Sequence, residues 1–372
     1  MAVNPSTRAE LHREVETGIL VAVDDLTIMV KSIFIALGLP SDDADCATQA
    51  LIYADARGID SHGVSTVFPR YVNYFLKKSL NPCPSITVHN GNFEMASYIE
   101  ADNALGTIAL KKAVDIAIKK GQKHGMSVVA VRNAGHAGAI GYQALQATKY
   151  DMIGLVMAAG KGLMVPPFGR SPLLGTNPIA FAAPAKKMPP FVFDAATTAV
   201  CGNKIRLAEI LDIPIPSGWI FSDSKHENNS NKSKYFEDSL PSLLPLGSSY
   251  DLGSHKGFGL GMMIEILSNT LCSSLSFTET NQNSIGHFAA VFRTDLFGSA
   301  DNFKTRMDDL LQAVINSPSI EEDYRVLYAG ARAYEKEQHR RKYGIPLQPS
   351  TLKWFHDIAS YLNITCNLPL PV

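Results

Sequence analysis

Arg57-Gly58-Ile59-Asp60-Ser61-His62-Gly63-Val64 decides how the rest of this 372-residue chain is read. The octet follows a stretch of helical periodicity and is answered downstream by Arg70, so charged and polar groups crowd together between segments built for a core. Histidine has the ordinary pKa nearest neutrality and moves protons at working pH. Arginine presents a planar fork that matches a carboxylate. An acid/base group beside an anion clamp is what chemistry on a small carboxylic acid requires. A plainer reading fits the same residues: Asp60 or Ser61 caps the next helix, and His62 is a satisfied surface residue. The octet alone does not choose.

Upstream, residues 24–39 read as a helix closed by Pro40. Ser41-Asp42-Asp43 opens a second helix, whose Ala44, Ala47, Leu51 and Ala54 form one apolar face that ends at Gly58. Residues 67–80 read as a third helix, with Arg70 in its first turns, and residues 1–20 are polar. Downstream, residues 86–99 hold two short strands and residues 105–123 an amphipathic helix stopped by Gly125. Strands follow at 126–132, 152–159, 179–183 and 191–193, the last running into Asp194, with helices to about 150 and over 202–211. Residues 223–255 read as an exposed polar loop. Residues 257–272 are apolar on nearly all sides, which predicts a buried helix in which Glu265 needs a partner. A strand at 287–293 and helices over 303–314, 330–342 and 351–362 complete the chain.

Hydrophobic residues make up 46% and charged residues 19% of the chain, as in a globular protein with a large core. The net charge is −1 with no basic run, so neither a nucleic-acid nor an anionic-membrane footprint is present. No stretch has the length of a membrane span, and the N-terminus lacks a hydrophobic signal core. The five cysteines are scattered, with no pair at metal-ligand spacing, which points to reduced thiols, no metal site and a cytoplasmic address.

Three further places carry chemistry. Gly135-His136-Ala137-Gly138-Ala139-Ile140-Gly141 joins a strand to a helix and offers a second histidine beside backbone N–H groups that favour an anion. Its spacing is not G-x-G-x-x-G, so an ordinary Rossmann reading is weak. Asp194, at a strand end, either lines a cleft or caps the helix that follows. Lys256 either binds an anion or points to solvent.

The octet with Pro69-Arg70-Tyr71 resembles the N-terminal signature of the malate/L-lactate dehydrogenase family. This NAD(P)-dependent family also holds ureidoglycolate and sulfolactate dehydrogenases. Further matches stand in the family's order: Asn133-Ala-Gly-His136-Ala-Gly138, Pro167-Phe-Gly169, Gly175-Thr-Asn-Pro-Ile-Ala-Phe181, Phe193-Asp-Ala-Ala-Thr-Thr198, Lys256-Gly-Phe-Gly-Leu260, Ile285-Gly-His-Phe288 and Gly344-Ile-Pro-Leu347. The resemblance implies a non-Rossmann, mixed α/β fold: a largely antiparallel dinucleotide-binding sheet with a helical domain from both chain ends. On that basis residues 1–85 form an N-terminal helical part, 86–300 the NAD(P)-binding domain, and 301–372 a C-terminal helical part that packs with the first.

The resemblance also implies a homodimer that uses NAD or NADP, NADH first, and moves a hydride to or from C2 of a small 2-hydroxy/2-oxo acid, malate- or lactate-like. It puts Ser61 and His62 at the reacting centre, Arg70 on the carboxylate and His136 beside the substrate, with His62 favoured as proton carrier. It assigns Gly160, Lys161, Asp194, Ala195, Ala196, Thr197, Thr198, Lys256, Gly257 and Gly330 to the cofactor. The chain departs from the family's pattern at Ala158-Ala-Gly-Lys161, where a Thr-Asn-Thr-Ser type segment is usual, and at Ala329-Gly-Ala331, where a Pro-Gly-Glu turn is usual. Those departures support a rival, a catalytically weak or silent relative acting as a binding protein. A second rival, a hydrolase using Ser61, lacks the G-x-S-x-G elbow and needs adjacent Ser and His side chains to face each other.

Overall fold

The computed structural model describes residues 7–221, 242–272, 285–321 and 324–371; most of the expected polar loop lies outside the described residues. The first part is helical apart from one short strand: α1 (Thr7–Val15), β1 (Ile19–Val21), α2 (Val23–Ala36), α3 (Ser41–Ala56), a 3-10 turn (Asp60–His62) and α4 (Phe68–Leu76). Then come β2 (Thr87–Asn90), β3 (Ala96–Ala104), α5 (Gly106–His124), β4 (Met126–Ala134), α6 (Gly141–Thr148) and β5 (Met152–Ala158). β6 (Ile179–Ala183), β7 (Phe191–Ala195), α7 (Gly202–Ile210), α8 (Ser254–Glu265) with a π turn (Ile266–Thr270), and β8 (Ile285–Arg293) follow. The chain closes with α9 (Ala300–Ile315), α10 (Ala331–Tyr343), β9 (Ile345–Leu347) and α11 (Pro349–Tyr361).

Seven strands form one sheet in the order β2-β3-β4-β8-β5-β6-β7. Only β3 and β4 pair in parallel; every other pair is antiparallel, so the sheet is mixed and largely antiparallel as expected. The alanine-rich buried face of α5, including Ala109, Ala113 and Ala117, packs with α6 against one side of the sheet around Val129, Val131, Val156 and Ala289. Ile264 of α8 packs on the other side with Ala130, Met157 and Phe288.

Beside the sheet, both chain ends share one core. Leu26, Ile33, Phe34, Leu51 and Phe68 are buried together with Ile345, Leu352 and Phe355. β1 pairs with β9 and ties the two ends, a pairing too short to read in sequence. In α4 the buried residues Phe68, Tyr71, Val72 and Phe75 recur at helical spacing and meet Phe34 and Phe355, with ring centroids 5.0 and 5.9 Å from Phe68. Burying that stripe turns Arg70 and Tyr74 to the opposite side of the helix.

The polar first residues are ordered from Thr7 as α1 and β1, because Leu11 and Val15 bury against Leu207, Ala208 and Ile213. One expectation needs correction: the helix at 257–272 is not buried all round, nor α-helical throughout. Gly257, Gly261 and Ile264 face inward, while Met262 and Ile266 keep 47% and 51% of their surface exposed. Glycines on the inner face let the backbone lie close to its neighbours, so only a narrow stripe is covered. Glu265 does find its partners, Asn177 Nδ2 at 3.1 Å and Asn269 Nδ2 at 2.6 Å.

Candidate active site

The turn carrying Ser61 and His62 is held from below by buried charge. Asp60 Oδ1 accepts from Arg340 Nη1 at 2.6 Å, and Arg340, whose side chain is 1% exposed, also meets Glu16 at 2.7 Å. Val64 N donates to Asp55 Oδ2 at 2.8 Å. Gly63 runs so close to that carboxyl that an added Cβ would lie 1.8 Å from Asp55 Oδ1, which explains the glycine. Asp60 is thus not a helix cap but half of an ion pair with α10, and His62 is not a surface residue but part of a cleft wall.

The adjacent side chains do face each other: Ser61 Oγ and His62 Nδ1 lie 3.0 Å apart, contrary to expectation, because the 3-10 turn bends them to one side. This does not revive the hydrolase, since no carboxylate is bonded to His62 among the described residues. Across the cleft the His136 ring lies nearly parallel to His62, with centroids 6.0 Å apart. His136 Nδ1 is 2.8 Å from Tyr71 Oη and accepts from Gly138 N at 3.2 Å. Arg70 donates to Asn203 Oδ1 at 2.8 Å and to Tyr74 Oη at 2.9 Å, while its buried Nε has no partner among the described residues.

These residues share one cleft of about 710 Å³. Its helical wall carries Ser61, His62 and Arg70, and its sheet wall carries His136, Gly160, Lys161, Asp194, Ala195, Ala196 and Thr198. Four expected cofactor residues lie off the wall. Thr197 is buried and donates to Asn177 O at 3.0 Å. Lys256 is exposed, as in its plainer reading, and Gly257 packs on the backbone of Leu246. Gly330 begins α10 and packs against Val192. The helix N-terminus expected to attract an anion is filled from within, because Gly141 N donates to Asp194 Oδ2 at 2.7 Å. Asp194 therefore caps α6, not the helix that follows it in sequence.

Asn203, Lys204 and Arg206 of α7, Tyr74 of α4 and His287 of β8 also line the cleft and were missed. Tyr74 was within reach, since i and i+4 share a helix face with Arg70. The α7 residues meet Arg70 only through the tertiary fold. Burial lowers the pKa of both cleft histidines, and nearby positive charge adds to it. His62 falls to about 4 through burial, Arg70 and Lys204. His136 falls well below its ordinary value through burial, Arg70 and neighbours that include Arg206. Both rings are neutral at pH 7. Burial pushes the Asp194 carboxyl up to about 6, against the pull of the Gly141 N–H.

The chain matches the malate/L-lactate dehydrogenase family over residues 21–355. It is 34% identical to a malate dehydrogenase of Pyrococcus abyssi, over 94% of this chain and 96% of the relative. The chain belongs to the malate/L-lactate dehydrogenase family. It is 30% identical to a ureidoglycolate dehydrogenase (NAD(+)) of Escherichia coli O157:H7, over 87% of this chain and 91% of that one. The solved malate dehydrogenase of Pyrococcus horikoshii superposes with a TM-score of 0.82 at 31% identity, over 94% of this chain and 97% of the other.

Family membership confirms the expected fold and a dehydrogenase, a reaction class that implies a nicotinamide cofactor. The cleft fits such a group. Its volume of about 710 Å³ is within the span of small-molecule sites. At Gly160 the wall is bare backbone, backed by Gly175, where an added Cβ would lie 2.4 Å from Gly160 Cα. Asn177 Oδ1 fixes Gly160 N at 3.0 Å, and Lys161 stands beside it on the cleft wall. Among the described residues no helix is long and apolar enough to cross a membrane.

Proposed function

We propose that this cleft interconverts a 2-hydroxy acid and its 2-oxo acid with NAD(H), and that the preferred acid carries a second anionic group, as malate does. The observation that carries the reading is Arg70. Its guanidinium is held by two neutral oxygens, has no carboxylate partner among the described residues, and faces two neutral histidines. A partly buried cation without a counter-ion is costly, and a substrate carboxylate supplies one.

Gly160, Lys161, Ala195, Ala196 and Thr198 would hold the dinucleotide on the sheet wall. When bound, its nicotinamide gives a hydride to C2 or takes one from it. Arg70 grips the C1 carboxylate with its remaining Nη hydrogens.

Tautomers separate the histidines. His136 Nδ1 accepts from an N–H that can only donate, so its proton sits on Nε2, and becoming imidazolium would break that bond. His62 Nδ1 meets a hydroxyl that can donate or accept, so His62 can be neutral or charged without losing its partner. His62 is therefore the proton carrier, and His136 steadies the oxygen at C2 as a donor. In oxidation neutral His62 takes the C2 hydroxyl proton; in reduction imidazolium His62 returns it to the same oxygen. A carboxylate on Arg70 offsets one of the charges that lower the His62 pKa, so acid binding raises the proton affinity needed for reduction.

Lys204 and Arg206 put two more positive charges on the wall near the histidines, which is why a dianion is preferred over a monoacid. Leu260 and Met263 of α8 and Ile266, the first residue of its π turn, are exposed at helical spacing and support assembly as a homodimer.

The test is loss of reduced-nicotinamide absorbance with a panel of 2-oxo acids. Oxaloacetate should exceed pyruvate in kcat/KM by about 10–100-fold, the scale of one charge-assisted contact. No turnover with any 2-oxo acid, cyclic imine or reverse-direction hydroxy acid, together with no saturable NADH binding, would instead make this chain the silent relative. The alanines at 158 and 159, on the cleft wall, are the observation that favours that second reading.

A further inference from the structure

His287 lies in the central strand β8, opposite Val131 of β4 and Ala158 of β5. Those two neighbours lead into the two loops of the sheet wall, one bearing His136 and the other Gly160. Gly286 O accepts from Ala159 N at 2.9 Å, so the second loop is pinned directly beside His287. The histidine is 0% exposed yet forms part of the cleft wall.

Its Nε2 lies 3.1 Å from Gly135 O. A carbonyl only accepts, so Nε2 carries the proton and Nδ1 is left with a bare lone pair. Burial lowers the ring's pKa to about 4, so Nδ1 stays an acceptor at working pH. Nδ1 is buried and has no hydrogen-bond partner among the described residues. Such an orphan is uncommon in a folded protein and calls for a donor from outside the chain. The donor must be neutral in character, because Arg70, Lys204 and Arg206 already supply positive charge around the histidines. The acid substrate has one donor at most, its C2 hydroxyl, and His62 and His136 engage that. A primary carboxamide is the remaining donor that the proposed cofactor brings to this junction.

We propose that His287 Nδ1 accepts a hydrogen bond from the carboxamide N–H of the nicotinamide, and so selects carboxamide-bearing dinucleotides. This rests on the NAD(H) reading above.

The test is equilibrium binding, followed by protein fluorescence, of NADH and of its 3-acetylpyridine analogue, which keeps the ring carbonyl and lacks the N–H donor. The unaltered protein should bind NADH about tenfold more tightly than the analogue, the worth of one neutral hydrogen bond. Two variants separate the ring's two nitrogens. His287→Gln reaches Gly135 O as Nε2 does and has no acceptor where Nδ1 stood, so it should bind the two dinucleotides within about twofold of each other. His287→Asn keeps an acceptor near the Nδ1 position and loses the Gly135 bond, so it should retain most of the discrimination. Equal binding of both dinucleotides by the unaltered protein would overturn the inference without any variant. Undiminished discrimination in His287→Gln would overturn it as well. If neither dinucleotide binds the unaltered protein, the cofactor reading and this inference fall together.

Discussion

The two walls of the cleft are built on different physics. The helical wall works through side chains: Ser61, His62 and Arg70 project from a 3-10 turn and a short helix, and buried ion pairs beneath them hold the geometry. The sheet wall brings backbone close to the cleft at Ala158, Ala159, Gly160, Ala195 and Ala196, set among the side chains of His136, Lys161, Asp194, Thr198 and His287. A side-chain wall fails when a group is removed. A backbone wall fails when an atom is added. That difference sets what each substitution should do.

Removing the guanidinium should do most. Arg70→Met should lower kcat/KM by about 10²–10³-fold, mainly through KM, since it deletes a charged partner of the acid. It also removes a positive charge that depresses the His62 pKa, so the pH at which reduction declines should move upward. A pH profile with an unmoved limb would show that Arg70 does not face His62 electrostatically.

Adding an atom should do less. Gly175→Ala places a Cβ 2.4 Å from Gly160 Cα, and the backbone at Gly160 must shift. The expected cost is about 1–3 kcal/mol of stability, with weaker NADH binding and little change in the KM of the acid once cofactor is saturating. A larger effect on the acid than on NADH would break the division between the walls.

The smallest effect on catalysis lies beneath the turn, where a substitution acts on stability. Asp55 is pushed up to about 8 by burial first and by Asp60 second, partly offset by the Val64 N–H and Arg340. An unfolded aspartate titrates near about 3.9, so across the interval up to about 8 the folded state keeps a proton that the unfolded chain has released. Stability contributed by this group therefore falls as pH rises through that interval. Asp55→Asn mimics the protonated form and should flatten the decline, raising Tm at pH 8 relative to the original chain by about 2–4 °C per kcal/mol recovered. An unchanged slope of Tm against pH would show that Asp55 is ionised in the fold.

Much of the helical wall was legible because its signals are local. The Arg57–Val64 motif and Arg70 sit within one helix–turn–helix stretch, and periodicity in α4 already separates a core stripe from the side bearing Arg70. The sheet wall was legible only in part. The Asp194 bond to Gly141 spans 53 residues and the Arg70 bond to Asn203 spans 133, and no local pattern encodes either. His287 stood inside a family motif, Ile285-Gly-His-Phe288, yet its meaning depends on which nitrogen Gly135 occupies. The outer face of α8 misled because apolar composition reports a wish for burial and not how much burial one chain provides.

His62 moving the proton, with His136 only steadying the oxygen, is the step on which the whole mechanism turns. The direct measurement is the steady-state rate of NADH oxidation with the best 2-oxo acid across pH for the original chain, His62→Ala and His136→Ala. His62→Ala should lose about 10²–10⁴-fold in kcat and lose the histidine limb of the pH profile, while His136→Ala keeps that limb at a reduced rate. A surviving limb in His62→Ala, with its loss in His136→Ala, would contradict the assignment and transfer the proton to His136.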